Sequence, residues 1–325
     1  MTSRECVKRT IAFQQPDRVP IWFFNRNEEH GDILCFDLAL CDDAGRSEWG
    51  YQWLELDDGT MGQPGSPLIP EWDAFSAYTF PDPDNAARFE DVDVFMRRSE
   101  DYYRLASLCL SGFTIYTFLR GFENAMLDFV AEPEKAGELM DRIVAFENRL
   151  IRQAAERGFD GVHFADDWGT QSNLIISPDL WKRIFRPRYE QQFALAQSLG
   201  LEVWFHSCGN ITALAEDFHA AGVDVLNISQ PNVVNLQAVS ECLRGRQCFM
   251  LPVSYQTDSI RGTPEQIQEV VSDVFGLLGT PQGGFIGYVE EYGSVGMSEA
   301  NYQACIRAFR NLQYCEGAYV IPPAR

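Results

Sequence analysis

Short apolar runs alternate with amphipathic segments along most of this chain. The runs at 161–165, 201–206, 223–228, 247–253 and 284–289 are dominated by apolar residues, as in strands buried on both faces. Residues 113–118 have the same character and are predicted as another strand. The run 19–24 adds a seventh, and either 33–40 or 49–56 supplies the eighth. Residues 133–157 keep Ala136, Leu139, Met140, Ile143, Phe146, Leu150 and Ile151 at helical spacing, with Pro133 at the start and Gly158 past the end. Residues 179–199 read as a further helix ended by Gly200, and a helix-like segment starts near Ile211. Repeated strand–helix units predict a parallel sheet. Eight of them predict an α/β fold, a single TIM (β/α)8 barrel over residues 1–325. A doubly wound open sheet is the alternative, but no glycine-rich nucleotide signature stands at a strand end. Residues 55–100, rich in Gly, Pro and Asp, break the rhythm. They predict an N-terminal excursion covering the barrel mouth.

Barrel chemistry sits where the strands end. Those positions hold Asn25 and Arg26, then Arg120, then Asp166, Asp167 and Trp168. His206 and Cys208 follow, then Asn227, Ser229 and Gln230, then Ser254 and Tyr255, and last Glu290, Glu291 and Tyr292. His206 and Cys208 stand two residues apart at a strand end, so both side chains can reach the mouth. Imidazole nitrogen and thiolate sulfur are natural zinc ligands. An open tetrahedral site needs a third protein ligand, and Glu290 is the candidate. Asp166 and Asp167 suit a general base, a metal ligand or a hydrogen-bond acceptor, or simply cap a turn. Arg26 and Arg120 suit a substrate carboxylate or phosphate. His163, inside a strand, is expected to fill the core, whereas His30 and His219 fall on a loop and a helix surface.

Charge narrows the partners. The formal net charge is −21, which argues against a nucleic-acid groove and against docking on an anionic membrane. No apolar run approaches the roughly 20 residues of a membrane span. The first residues carry no apolar signal core, and the nine cysteines form no regular framework. The expectation is a cytoplasmic protein with reduced thiols.

Several motifs together resemble the uroporphyrinogen decarboxylase-like superfamily. They are Ser3-Arg4-Glu5 through Pro16-Asp17-Arg18-Val19-Pro20, Asp166-Asp167-Trp168-Gly169-Thr170-Gln171 with Ile176-Ser177-Pro178, and His206-Ser207-Cys208-Gly209-Asn210. Ala221-Gly222-Val223-Asp224-Val225-Leu226-Asn227, Gly262-Thr263-Pro264-Glu265 and Gly283-Gly284-Phe285-Ile286 continue the series in order. The resemblance implies a TIM barrel with its site at the C-terminal mouth. It implies one of two activities, cofactor-free decarboxylation of uroporphyrinogen or methyl transfer linked to a corrinoid. The decarboxylases carry an Arg-Gln-Ala-Gly-Arg-type loop after the first strand, where this chain has Asn25-Arg26-Asn27-Glu28-Glu29. One Arg for a substrate of eight carboxylates points away from that activity.

The methyltransferase branch holds zinc through His-x-Cys and a distant Cys. His206 and Cys208 match that pattern, while the distant Cys is replaced here by Glu290 and Glu291. The resulting expectation is transfer of a methyl group between a small substrate (a thiol, a methoxylated aromatic or a methylamine) and a corrinoid held by a separate protein. Zinc at His206, Cys208 and Glu290 acts as Lewis acid, with Asp166, Asp167 and Arg26 as catalytic groups. Asn25, Tyr116, Arg120, Trp168, Asn227 and Gln230 contact the substrate. Barrels of this family often pair, which implies a homodimer. The alternative is a metal-free lyase using Asp167, Arg26 and Tyr116 on a carboxylated substrate, and a ligand-binding barrel is a third reading.

Overall fold

The computed structural model describes residues 1–24, 31–54, 62–290, 293 and 296–314. Helix α1 (Ser3–Ile11) precedes β1 (Ile21–Phe24) and β2 (Ile33–Asp37). A two-stranded hairpin, β3 (Trp53–Leu54) with β4 (Gln63–Pro64), comes next, then α2 (Trp72–Phe75), α3 (Val92–Arg98) and β5 (Tyr103–Leu110). Helices α4 (Gly112–Arg120), α5 (Phe122–Ala131) and α6 (Pro133–Glu156) lead to β6 (Gly161–Ala165). Helices α7 (Pro178–Ile184) and α8 (Arg186–Ser198) lead to β7 (Glu202–Ser207). The remaining units are α9 (Ala215–Ala221), β8 (Val225–Ile228), α10 (Leu236–Leu243), β9 (Cys248–Pro252), α11 (Asp258–Arg261), α12 (Pro264–Leu278), β10 (Phe285–Glu290) and α13 (Glu299–Arg310).

Eight strands form one parallel sheet in the order β1-β10-β9-β8-β7-β6-β5-β2. The ends meet at β1 and β2, where the Asp32 N–H donates to the Ile21 carbonyl at 2.8 Å. The Asp32 carboxylate accepts the Ile21 N–H across the same seam at 3.0 Å. Helices surround this ring, as in a TIM barrel. Trp22, Ile33, Tyr103, Leu105, Trp204, Val225, Met250 and Ile286 pack together inside it, and Val7 of α1 joins them. Buried Asp160 binds Arg4 and Lys8, tying α1 to the barrel.

The eighth strand is the one at 33–37, because 53–54 pairs antiparallel in the separate hairpin. The described part of the excursion packs against the helices that follow β5. Arg142 lies 4.6 Å over the ring of Phe80, Gln153 Nε2 donates to the Pro83 carbonyl at 2.9 Å, and Arg149 pairs with Asp84; just ahead of the excursion, Trp49 meets Phe146 at 4.9 Å and Tyr51 meets Phe118 at 5.1 Å.

Two expected elements need correction. Residues 113–118 are not a strand but lie within α4, and the strand is the preceding segment 103–110. A short apolar run fits a buried helix as well as a strand. The helix is selected because Gly112 takes φ +40° and buried carboxylates receive the N–H groups of its first turn. The helix expected over 179–199 is two helices meeting at Phe185. Pro187 has no N–H to continue the first one and crowds the preceding turn.

This correction moves Tyr116 and Arg120 from a strand end into α4. Arg120 grips Asp128 through two bonds of 2.7 and 2.9 Å, also donates to the Ile69 carbonyl, and lies 4.0 Å over the ring of Trp72. Tyr116 donates to the same Asp128 at 2.9 Å. All three are buried, so this cluster fastens the excursion to α4 and α5. Removing one partner of a buried pair leaves the other charge uncompensated. Asp128→Ala is therefore expected to cost about 3–5 kcal/mol of stability, read by urea denaturation. A loss below about 1 kcal/mol would show that Arg120 finds water instead.

Candidate metal site at the barrel mouth

Two neighbouring strand ends build the site. The β6 and β7 chains stay paired beyond the sheet. Asp166 N–H donates to the His206 carbonyl (3.0 Å), Gly169 N–H to the Cys208 carbonyl (3.1 Å) and Asn210 N–H to the Thr170 carbonyl (2.7 Å). Trp168 N–H donates to Ser207 Oγ at 3.0 Å. The pairing requires glycine at two facing positions. A Cβ on Gly209 would lie 2.1 Å from the Gly169 carbonyl carbon, and Gly209 also holds φ +78°. A Cβ on Gly169 would lie 2.5 Å from the Asn210 nitrogen.

Extended backbone alternates its side chains, and this separates the two aspartates. Asp166 is fully buried behind the sheet. It accepts from Phe113 N–H (2.9 Å), Thr114 N–H (2.7 Å), Thr114 Oγ1 (2.8 Å) and the Tyr189 hydroxyl. Trp168 is fully buried on that side, stacked on Phe113 at 4.4 Å. Asp167 points to the mouth and is half exposed. Its Oδ1 accepts the Cys208 N–H at 2.8 Å.

Asp167, His206 and Cys208 converge. His206 Nε2 lies 3.5 Å from Cys208 Sγ and 3.8 Å from Asp167 Oδ1, and the three ligand atoms fall within 4.8 Å of one another. Zinc bonds of about 2.0–2.3 Å in a tetrahedron put ligand atoms roughly 3.3–3.7 Å apart. The observed spacing is close to that of a three-ligand site with one open position. His206 is also pre-oriented. Asn227 Nδ2 donates to the Met250 carbonyl at 2.9 Å, which turns Asn227 Oδ1 toward His206 Nδ1 at 2.5 Å. Nδ1 therefore carries the proton and Nε2 presents its lone pair to the cluster, the arrangement of metal-bound histidines. Burial pushes the Cys208 thiol well up, and the charges of Asp167 and Glu290 push it further. A cation is what this donor set lacks electrostatically, and the residues fit zinc.

Glu290, expected as the third ligand, ends β10 with its side chain buried and bonded to Tyr288. Its charge reaches Cys208, but the described residues place Asp167 in the group of three. Asn227 orients the histidine, and Gln230 bonds the Gly209 N–H at 3.0 Å. Asn25 and Arg26 lie outside the described residues. His163 is buried in β6, as expected of a core residue, with its ring 5.4 Å from Trp22. Tyr255, Gln171, Glu147 and Tyr189 carry no local pattern that assigns them a role, and their contacts here come from tertiary structure. Only the register of neighbouring strands would have found Asn227 opposite His206.

The fold and the cluster define a TIM-barrel protein with a group of three side chains at its C-terminal mouth, Asp167, His206 and Cys208, that could hold a metal ion. The model of the uroporphyrinogen decarboxylase (URO-D) family matches residues 54–302, and the chain belongs to that family. No curated protein matches the sequence. Among solved structures, a methyltransferase from Methanosarcina mazei superposes with a TM-score of 0.64 at 14% identity, over 84% of this chain and 79% of that one. A GH26 domain from Prevotella bryantii gives only 0.44 at 8% identity, over 94% and 93%. Among the described residues, no helix is long and apolar enough to cross a membrane.

A stability signature follows from the buried acids. Burial raises Asp166 to about 7, against the hydrogen bonds it accepts. Burial likewise raises Glu147 to about 7, although it accepts Gly112 N–H and Gln192 Nε2 at 2.7 Å each. In the unfolded chain these groups titrate near 4. Between about pH 4 and 7 the unfolded state releases their protons first, so stability falls as pH rises through that window. Glu147→Gln is expected to reduce the difference in urea midpoint between pH 5 and pH 8. An unchanged difference would show that Glu147 does not carry it.

Proposed function

We propose that this protein is a zinc-dependent methyltransferase. It moves a methyl group between a small substrate (a thiol, a methoxylated aromatic or a methylamine) and a corrinoid carried by a separate protein. The observation that carries this reading is the convergence of Asp167, His206 and Cys208 at the mouth, with His206 already oriented by Asn227. The fold likeness to the Methanosarcina methyltransferase agrees with it.

Zinc held there supplies Lewis acidity toward the substrate heteroatom and, for a thiol, favours the thiolate. The chain's residues do the rest. Asp167 contributes an oxygen ligand, and Cys208 N–H fixes that carboxylate. Half-exposed Asp167 leaves the cluster open to the mouth, where substrate and corrinoid must both reach it. Glu290, buried beside Tyr288 and acting electrostatically on Cys208, is the acid to which this reading assigns proton exchange with the substrate heteroatom. Phe24, the register partner of Glu290, lies 6.1 Å from Tyr288 and adds apolar surface to the same end of the barrel.

The metal-free lyase reading has less support. It used Asp167, Arg26 and Tyr116, and Tyr116 is fully buried against Asp128.

Metal analysis of the purified protein by mass spectrometry tests the proposal. About one zinc per chain is expected, lost in the His206→Ala, Cys208→Ala double variant. Asp167→Ala is expected to weaken zinc by more than about 100-fold, the upper end for a lost outer partner. Glu290→Gln should retain the metal and slow methyl transfer from methylcobalamin to a small thiol. Zinc lost in Glu290→Gln but kept in Asp167→Ala would transfer the third-ligand role to Glu290. No zinc in the parent, even after reconstitution, would remove the proposal.

A further inference from the structure

The ligand loop is held from its far side by a neutral side chain. Gln230, nine-tenths buried at the end of β8, accepts the Gly209 N–H through Oε1 at 3.0 Å. The same oxygen accepts Gln171 Nε2 at 3.0 Å. A backbone N–H can only donate, so the orientation of this amide is fixed. Its Nε2 must then donate, and it does so to the Tyr255 hydroxyl at 2.6 Å. The Tyr255 oxygen is thereby an acceptor on its Gln230 side. One carboxamide thus connects the loops after β6, β7, β8 and β9.

We infer that Gln230 is a positioning residue: it holds the Cys208–Gly209 peptide in the conformation that presents Cys208 to the metal. The inference rests on the zinc reading of the cluster. The mechanism is direct. Gly209 carries φ +78°, a conformation that glycine adopts as readily as its mirror image, so local preference does not fix the peptide, and one face of it is pressed against Gly169. The hydrogen bond from Gln230 supplies the restraint on the other side. Loss of it leaves the Gly169 N–H on the Cys208 carbonyl as the remaining hydrogen bond to this peptide unit, which can then tilt about that contact and carry the sulfur with it. A carboxylate at this position would still accept both N–H groups, whereas a thioether of similar size would accept neither well.

The test compares Gln230→Met with Gln230→Glu. In the proposal, Gln230→Met lowers zinc affinity about 10–100-fold, the usual cost of a lost outer partner, as measured by competition with a chromophoric chelator. Gln230→Glu stays close to the parent. Two readouts need no metal. Iodoacetamide labelling of Cys208, followed by peptide mass spectrometry on the metal-free protein, becomes faster in Gln230→Met. The Gly209 amide of the parent exchanges with deuterium far more slowly than the same amide in an unstructured peptide of residues 204–214. Parent-like affinity and labelling in Gln230→Met would overturn the inference. So would rapid Gly209 exchange in the parent, a result that stands even if the variant does not fold. A parent that binds no zinc but shows slow Gly209 exchange and faster Cys208 labelling in the variant would remove the methyltransferase reading and keep the clamp.

Discussion

The close approach of Gly169 and Gly209 is the constraint on which the site depends. Two strand ends can stay hydrogen-bonded past the sheet only where no side chain separates them, and here both positions lack a Cβ. That contact carries Asp167 from one loop onto the backbone N–H of Cys208 in the next. It joins two candidate ligands close in sequence, His206 and Cys208, to Asp167 in a group of three drawn from two strand ends. Without it, the His-x-Cys pair would be a common dipeptide spacing with no partner. Barrel enzymes combine residues from several strand ends in this way.

The Asp166–Asp167 pair shows how one local rule yields two unrelated functions. Alternation along the extended chain sends Asp166 backward to receive the first N–H groups of α4, and sends Asp167 forward to the mouth. The backward aspartate works together with Glu147, which holds Gly112 one residue earlier. Two buried carboxylates with no cationic partner at their oxygens are expensive to ionise. They are tolerated because a helix N-terminus offers oriented N–H groups and a favourable dipole. The energy stored there fixes α4 against β6, and so fixes the start of the loop that delivers Asp167.

The sequence made the barrel legible because its strand–helix period is regular and its strands are buried. It made His206 and Cys208 legible because a strand end is where barrel chemistry sits. Three kinds of information were not accessible. The apolar stretch 113–118 was ambiguous between helix and strand, and what decided it was a pair of acids 53 and 35 residues away. Tyr116 followed that misassignment into a strand and Arg120 to its end, whereas both lie in α4. The third member of the candidate cluster was a matter of register. Glu290 ends a strand as Asp167 follows one, and both are acidic, but only Asp167 is joined to the β7 loop by backbone pairing. Asn227 and Gln230 were recognised as strand-end polar residues. Their bonds to His206 and Gly209 depend on tertiary register that no local pattern encodes.

Electrostatics gives the cluster its direction. The chain is strongly acidic, and at the mouth the charges of Asp167 and Glu290 add to burial in keeping the Cys208 thiol protonated. The same environment that disfavours a thiolate favours a divalent cation, because one added ion offsets both carboxylates and stabilises the sulfur anion together. Proton and metal therefore compete for one sulfur, and on the zinc reading each metal bound releases that proton. Asp167 stands on both sides of this balance: as a bare charge it raises the thiol, and as a ligand it helps to remove the proton. Histidine adds no such conflict, since Asn227 already assigns its tautomer. The site is thus arranged so that its geometry is set by neutral amides and glycines, and its charge is left to the ion.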